Sequence, residues 1–147
     1  MHATWDSVGT AVWGVLHTFA YSVEDARRGT LQQRLDAYVD LVNSIKRLYP
    51  CFECYTNMNG IHEALMADCC ALCAHASRTG CGAREAANSL AMWAFRLHNA
   101  VTRWKCVHTG DPLSADNEEW IRLEDVDSGY ASKNVVACRL RERWYPR

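Results

Sequence analysis

A chain of 147 residues, 49% of them apolar, has the length of one ordinary domain and enough apolar mass for one core. Its 16 Lys and Arg balance 17 Asp and Glu to a net charge of −1, and no basic stripe stands out, which argues against a nucleic-acid ligand. No stretch of about 18 apolar residues exists, so a membrane-spanning helix is not expected, and Met1 to Asp6 lack the basic and apolar regions of a secretory signal.

The first helix is expected over roughly 7–22, with Asp6 as its N-cap. Val8, Val12, Val15 and Phe19 step by 4, 3 and 4, which predicts a core stripe. A second ridge on the same helix, Gly9, Trp13, His17 and Tyr21, repeats every four residues and is aromatic and polar. The second helix carries a bundle seam of Leu31, Leu35, Tyr38, Val42, Ile45 and Tyr49. Val39, Leu41 and Leu48 widen that seam and offer a second contact, as with another subunit.

Pro50 ends the second helix or opens a third, expected from Cys51 to about Ala67. Residues 68–82 read as a short helix and loop. A fourth helix is expected over roughly 83–105, with Leu90, Trp93, Leu97, Val101 and Trp104 on one face. Gly110, Asp111 and Pro112 break the chain, and 116–125 predict a short fifth helix around Trp120. The reading is an all-α single domain over 1–147, with its core at about 5–125 and a mixed tail at 126–147.

Eight cysteines are a high count for this length: Cys51, Cys54, Cys69, Cys70, Cys73, Cys81, Cys106 and Cys138. Without a visible secretory leader, that richness points to metal binding or redox chemistry. Cys51 and Cys54 follow Pro50 at an expected helix start, where the macrodipole and free N–H groups lower a thiol pKa. The rival is a zinc site made of Cys51, Cys54, Cys70 and Cys73, whose spacing suits a four-cysteine pattern. Cysteine spacing alone supports both equally.

The flanking helices favour redox. A lone Trp or His on a helix is most often structural, but here several converge. Gly9 permits close approach, Trp13 can stack on a flat ring, and His17 can stack and hydrogen-bond. On the fourth helix His98, Thr102 and Lys105 share a face beside Asn99, offering donors, acceptors and a cation suited to a dinucleotide. No Gly-x-Gly-x-x-Gly follows a strand, so a Rossmann mode is not expected.

Three stretches together resemble the Erv/ALR family of FAD-linked sulfhydryl oxidases: Gly9 to Ala20, Tyr49-Pro50-Cys51-Phe52-Glu53-Cys54, and Trp93 to Val101. Their order and spacing agree over roughly residues 5–106. The resemblance implies a four-helix bundle with a short fifth helix and FAD at its mouth, dimeric through the first two helices. It implies that Gly9, Thr10, Trp13, His17 and Tyr21 line FAD on one side. Trp93, His98, Asn99, Val101, Thr102 and Lys105 line the other, and Trp120 packs near the adenine. It also implies that a substrate thiolate attacks Cys51, that Cys54 passes two electrons to FAD, and that oxygen takes them as hydrogen peroxide.

The chain departs from the family at Thr102, where an Asn is usual, and in having no shuttle Cys pair in either tail. Two routes stay open: direct oxidation of a protein partner through Cys51–Cys54, or relay through Cys70–Cys73. A Cys106–Cys138 disulfide would tie the tail to the bundle, worth about 3–4 kcal/mol; relatives staple this region with a shorter loop. The minimal chain is similar to oxidases encoded by large DNA viruses. The expected setting is intracellular: host cytoplasm or virion for a viral protein, mitochondrial intermembrane space for a cellular one.

Overall fold

The described residues include three long helices, α1 (Trp5–Ser22), α2 (Leu31–Leu48) and α3 (Ala83–Thr109), with a short 3-10 turn at Ala26–Arg28. They come from a computed structural model that describes residues 5–49, 51, 56, 60, 74, 82–110, 112, 113, 118, 122 and 139–143. The fold is all-α, and no strand occurs among the described residues. None of the described helices is long and apolar enough to cross a membrane. In the segments expected as third and fifth helices, Thr56, Gly60, Glu118 and Arg122 are helical. The rest of those two segments lies outside the described residues.

α1 begins earlier than expected, so Asp6 lies inside the helix and is not its N-cap. The core face of α1 also differs from the expected stripe. Leu16, Ala20 and Tyr21 are buried, Val12 and Trp13 pack partly against the core, and Val15 and Phe19 are 36% and 47% exposed. The aromatic ridge thus turns toward α3, where α1 makes its main packing. Two ridges at helical spacing competed for the interior. The ridge with the larger rings, Trp13, His17 and Tyr21, has more surface to remove from water.

Val15 and Phe19 are left on the outside, and Phe19 meets Ala37, Tyr38 and Leu41 of α2 around a groove of about 380 Å³. On α2 the expected seam holds: Leu35, Tyr38 and Val42 are buried, with Leu31, Val39 and Ile45 packed on the core. Leu48, which was expected to widen the seam, is 79% exposed.

The turn between α1 and α2 is specified by local chemistry. Thr30 caps α2 by accepting from the Gln33 amide at 3.2 Å, while Gln33 Oε1 accepts from the Thr30 amide at 2.9 Å. This reciprocal pair satisfies two donors at the helix start. Gly29 stands before it at φ 109°, and a Cβ there would lie 2.7 Å from Gln33 Oε1, so only glycine fits. The buried Arg34 reaches back, donating from Nε to the Val23 carbonyl at 2.7 Å and from Nη1 to the Gly29 carbonyl. The start of α2 is thereby tied to the end of α1.

α3 runs past its expected end to Thr109 and stops at Gly110, whose left-handed backbone donates to the Cys106 carbonyl at 3.0 Å. Leu90, Trp93 and Leu97 are buried, as the sequence predicts, and Ala86, Ala87, Ala91 and Ala94 allow close helix approach. Residues 139–143 are helical and place Leu140, 1% exposed, in the same core. Cys106 is a free thiol, so the expected Cys106–Cys138 bridge is not formed.

Two substitutions check this arrangement. Leu35→Ala is expected to lower stability by about 2–5 kcal/mol through cavity formation. Thr30→Ala is expected to cost about 1 kcal/mol through loss of the cap. Urea midpoints at constant m value measure both.

Candidate functional site

The site is assembled where the α1 ridge meets α3. Trp13 and His98 stack with ring centroids 4.3 Å apart and planes 11° from parallel. His17, one turn along from Trp13, tilts toward His98 at 5.4 Å and 46°. His17 Nε2 and His98 Nδ1 lie 3.2 Å apart, so one ring donates and the other accepts. His17 is buried at 1% exposure, while His98 and Trp13 are half-buried. The cluster therefore has an inner imidazole and an outer stacked pair that reaches solvent.

Burial strips water from both imidazoles and disfavours their charged forms. His17 is lowered to about 3, chiefly by burial, with His98 and Arg143 adding repulsion. His98 is lowered to about 4, again chiefly by burial, with Arg143 second. Both rings are neutral at pH 7, each with one N–H and one lone pair.

Tyr21, two turns on from Trp13, is fully buried beneath the guanidinium of Arg141, 4.7 Å from its ring centroid. Trp93 is buried in the core and meets Tyr38 edge-on, with ring centroids 6.1 Å apart. The Tyr38 hydroxyl donates to the Leu16 carbonyl at 3.1 Å, bonding α2 to the helix that carries the ridge. Asn99 is buried beside His98, and Val101 and Thr102 are half-buried one turn further on. Thr10 and Lys105 are exposed.

Gly9 has a role that its spacing did not reveal. A Cβ at Gly9 would lie 3.3 Å from the Tyr49 hydroxyl, so the end of α2 closes onto the start of α1 at this point. Tyr49 is two residues before Cys51, and the contact sets the end of α2 against the Trp13 end of the ridge. Cys51 is half-buried and disulfide-bonded. Its partner, and the expected site residues Cys54 and Trp120, lie outside the described residues. A sulfur held in a disulfide is not the thiolate that zinc requires, which weighs against the four-cysteine metal reading in this state.

Sequence reasoning missed Tyr49 as a spacer and missed residues 139–143 altogether. The signal for Tyr49 was present, because it is the last aromatic of the α2 seam. Arg141 and Arg143 had none, since their partners Glu24 and Asn88 and the two histidines are remote in sequence.

Fold and site together define an all-α protein that carries a disulfide-bonded cysteine just after α2 and a stacked tryptophan–imidazole cluster between α1 and α3. Residues 10–120 match the model of the Erv1 / Alr family, and the chain belongs to that family. Over 61 residues the chain is 43% identical to a protein from Oryza sativa subsp. japonica named FAD-linked sulfhydryl oxidase ERV1. That stretch is 42% of this chain and 30% of the rice protein, so the match spans under a third of the relative's length. No solved structure matches the chain.

The neutral histidine pair fixes the sign of a pH effect. The unfolded chain protonates its histidines near pH 6.5 and the folded chain resists until about 3 and 4. Below pH 6.5 the unfolded state binds more protons, so stability present above 6.5 is lost as pH falls. The ceiling is about 1.4 kcal/mol per pH unit per histidine, and half-buried His98 contributes less than its shift implies. Urea midpoints at pH 7 and pH 5 should fall in the native chain and fall less in His17→Gln. Equal midpoints in the native chain would contradict a buried neutral pair.

Proposed function

We propose that this chain is an FAD-linked sulfhydryl oxidase that forms disulfides in a thiol-bearing protein substrate. The observation that carries this reading is the Tyr49–Gly9 contact. It sets Tyr49, two residues before the disulfide-bonded Cys51, against the start of the helix that carries Trp13 and His17, in a chain of the Erv1 / Alr family. The rice relative's name supplies the cofactor and the reaction class.

The residues present fit FAD. Trp13 and His98 offer flat, partly open faces to a planar ring. With His17 Nε2 and His98 Nδ1 bonded to each other, the neutral pair keeps one donor and one acceptor between its two remaining ring nitrogens, which matches the mixed edges of adenine and isoalloxazine rings. Asn99 and Thr102 add polar groups on the same stretch of α3, and Lys105 adds an exposed cation. When bound, FAD supplies the two-electron acceptor that reoxidises the dithiol and hands the pair to oxygen, giving hydrogen peroxide.

The protein's own steps are thiol–disulfide exchange. A substrate thiolate attacks Cys51 Sγ, the bond from Cys51 to Cys54 breaks, and Cys54 leaves as a thiolate. A second substrate thiolate attacks the substrate sulfur of the mixed disulfide, releasing oxidised substrate and the Cys51 thiolate. Two electrons from the substrate then rest on Cys51 and Cys54 as a pair of thiolates. Trp13 and His98 orient the planar acceptor, and the burial of His17 excludes water from the inner end of the cluster.

The active form in this reading is a homodimer through α1 and α2. Val15 and Phe19 are exposed there, and Phe19 lines an apolar groove with Ala37 and Leu41.

The test begins with absorbance of the purified protein from about 300 to 600 nm, before and after dithiothreitol in aerated buffer. Flavin bands that bleach, with oxygen consumed and peroxide formed, are expected. Cys51→Ser and Cys54→Ser should keep the flavin and lose at least about 100-fold in oxygen consumption. Trp13→Ala should weaken FAD binding about tenfold, the worth of one stacked ring. A colourless protein that takes up no FAD and releases zinc would replace the oxidase with a metal module.

A further inference from the structure

α1 and α3 run antiparallel. His17 meets His98 directly, and beyond that joint the end of α1 and Asn88 of α3 are linked by one side chain from residues 139–143. These residues are helical and lie outside the 10–120 span of the family match. Leu140 anchors them in the core at 1% exposure. Arg141 Nη1 donates to Glu24 Oε2 at 2.6 Å, Nη2 donates to Asn88 Oδ1 at 2.8 Å, and the guanidinium lies over the Tyr21 ring, 4.7 Å from its centroid. Glu24 is itself fixed to the end of α1, its amide donating to the Tyr21 carbonyl at 3.0 Å. A guanidinium holds its donors in a rigid fork, so bonds to two helices set a distance between them as well as a direction. The Arg141 side chain is 16% exposed and that of Glu24 33%, so water screens this pair less than an open surface pair.

The place of this tie matters to the rings. Trp13 and Tyr21 each lie four residues from His17, about 6 Å along the helix axis on opposite sides. The His17–His98 bond alone leaves α1 able to sway about it. A sway that opens the Tyr21 end displaces Trp13 by a similar amount at the other. The Trp13–His98 stack, 4.3 Å between centroids and 11° from parallel, tolerates little of that, because a gap of about 1 Å forfeits roughly half of the attraction between facing atoms. Arg141 supplies a second fixed point. It also accounts for Tyr21, which the resemblance set against the cofactor: the ring is fully buried, and one face is taken by the guanidinium.

We propose that Arg141 is a positioning residue for the Trp13–His98 stack. Residues 139–143 are a strap that clamps α1 to α3 beyond the histidine joint and so sets the ring geometry on which a planar ligand docks. The clamp stands on its contacts; its effect on a bound flavin rests on the FAD reading above.

The test uses the full chain stripped of flavin, as the native protein, R141Q, R141K and N88A, with T30A as a control for lost stability. The first readout needs no ligand. The Trp13 indole shields the His98 ring protons, and W13A gives their unstacked NMR shifts. R141Q should move these shifts toward the W13A values. R141K keeps the charge and lacks the fork, so it should resemble R141Q. N88A removes only the α3 limb and should move the shifts in the same direction. T30A, which weakens the cap of α2, should leave them in place. The second readout is FAD titration. R141Q should weaken binding, by no more than the about tenfold expected of W13A, because both act through one stack. R141Q added to W13A should then weaken it less than about twofold further.

Unmoved His98 protons in R141Q, or in N88A should R141Q fail to fold, would overturn the positioning role. A native-like R141K would do the same, and so would equal shifts in T30A, which would reduce the strap to general stability. Strictly additive losses in the double variant would place the effect of Arg141 away from the stack. A native chain that takes up no FAD would defeat the cofactor reading, and the ring protons would still decide the clamp.

Discussion

The hydrogen bond between His17 and His98 is the joint on which the described structure depends. It links the middle of α1 to α3 through two side chains that would each prefer water, so it holds only because the helices bury them together. Trp13 closes the outer side by stacking on His98, and Tyr38 pins α1 from the α2 side through the Leu16 carbonyl. Helix packing and site chemistry are therefore one arrangement. Whatever separates α1 from α3 also disperses the rings, and whatever charges an imidazole also loosens the helices.

The fold was legible in the sequence where one periodicity dominated. α2 has a single strong seam, and its buried residues match it. α3 was legible for the same reason, and Gly110 marked its end. α1 was ambiguous because it carries two ridges at helical spacing. Aliphatic composition favoured Val15 and Phe19, but ring size decided for Trp13, His17 and Tyr21. The capping box at Thr30 and Gln33 is a local motif, and its strength lies in bonds within four residues.

The site was partly legible. Trp13, His17 and His98 do meet, as two ridges on separate helices suggested. Gly9 was read as space for a cofactor, and the structure fills that space with the hydroxyl of Tyr49. Trp93 was read as a lining residue and lies in the core against Tyr38. Both placements have one cause. Spacing along a helix fixes which residues share a face, but the neighbouring helix decides whether that face meets a ligand or another side chain. The Arg141 bridge was illegible because it joins positions 117 and 53 residues apart.

Cys106 acquires a different meaning in a protein whose proposed work is to oxidise thiols. Such a protein is surrounded by competing substrates, and the nearest of them are its own cysteines. Cys106 remains a thiol, half-buried in the last turns of α3. Its sulfur has the same chemistry as that of any client. What sets it apart is that a helical cysteine cannot extend toward the Cys51 disulfide as a loose segment can. In that reading, selectivity between self and client follows from backbone freedom: a thiol on a loose segment can come to Cys51, and Cys106 is held in the helical frame.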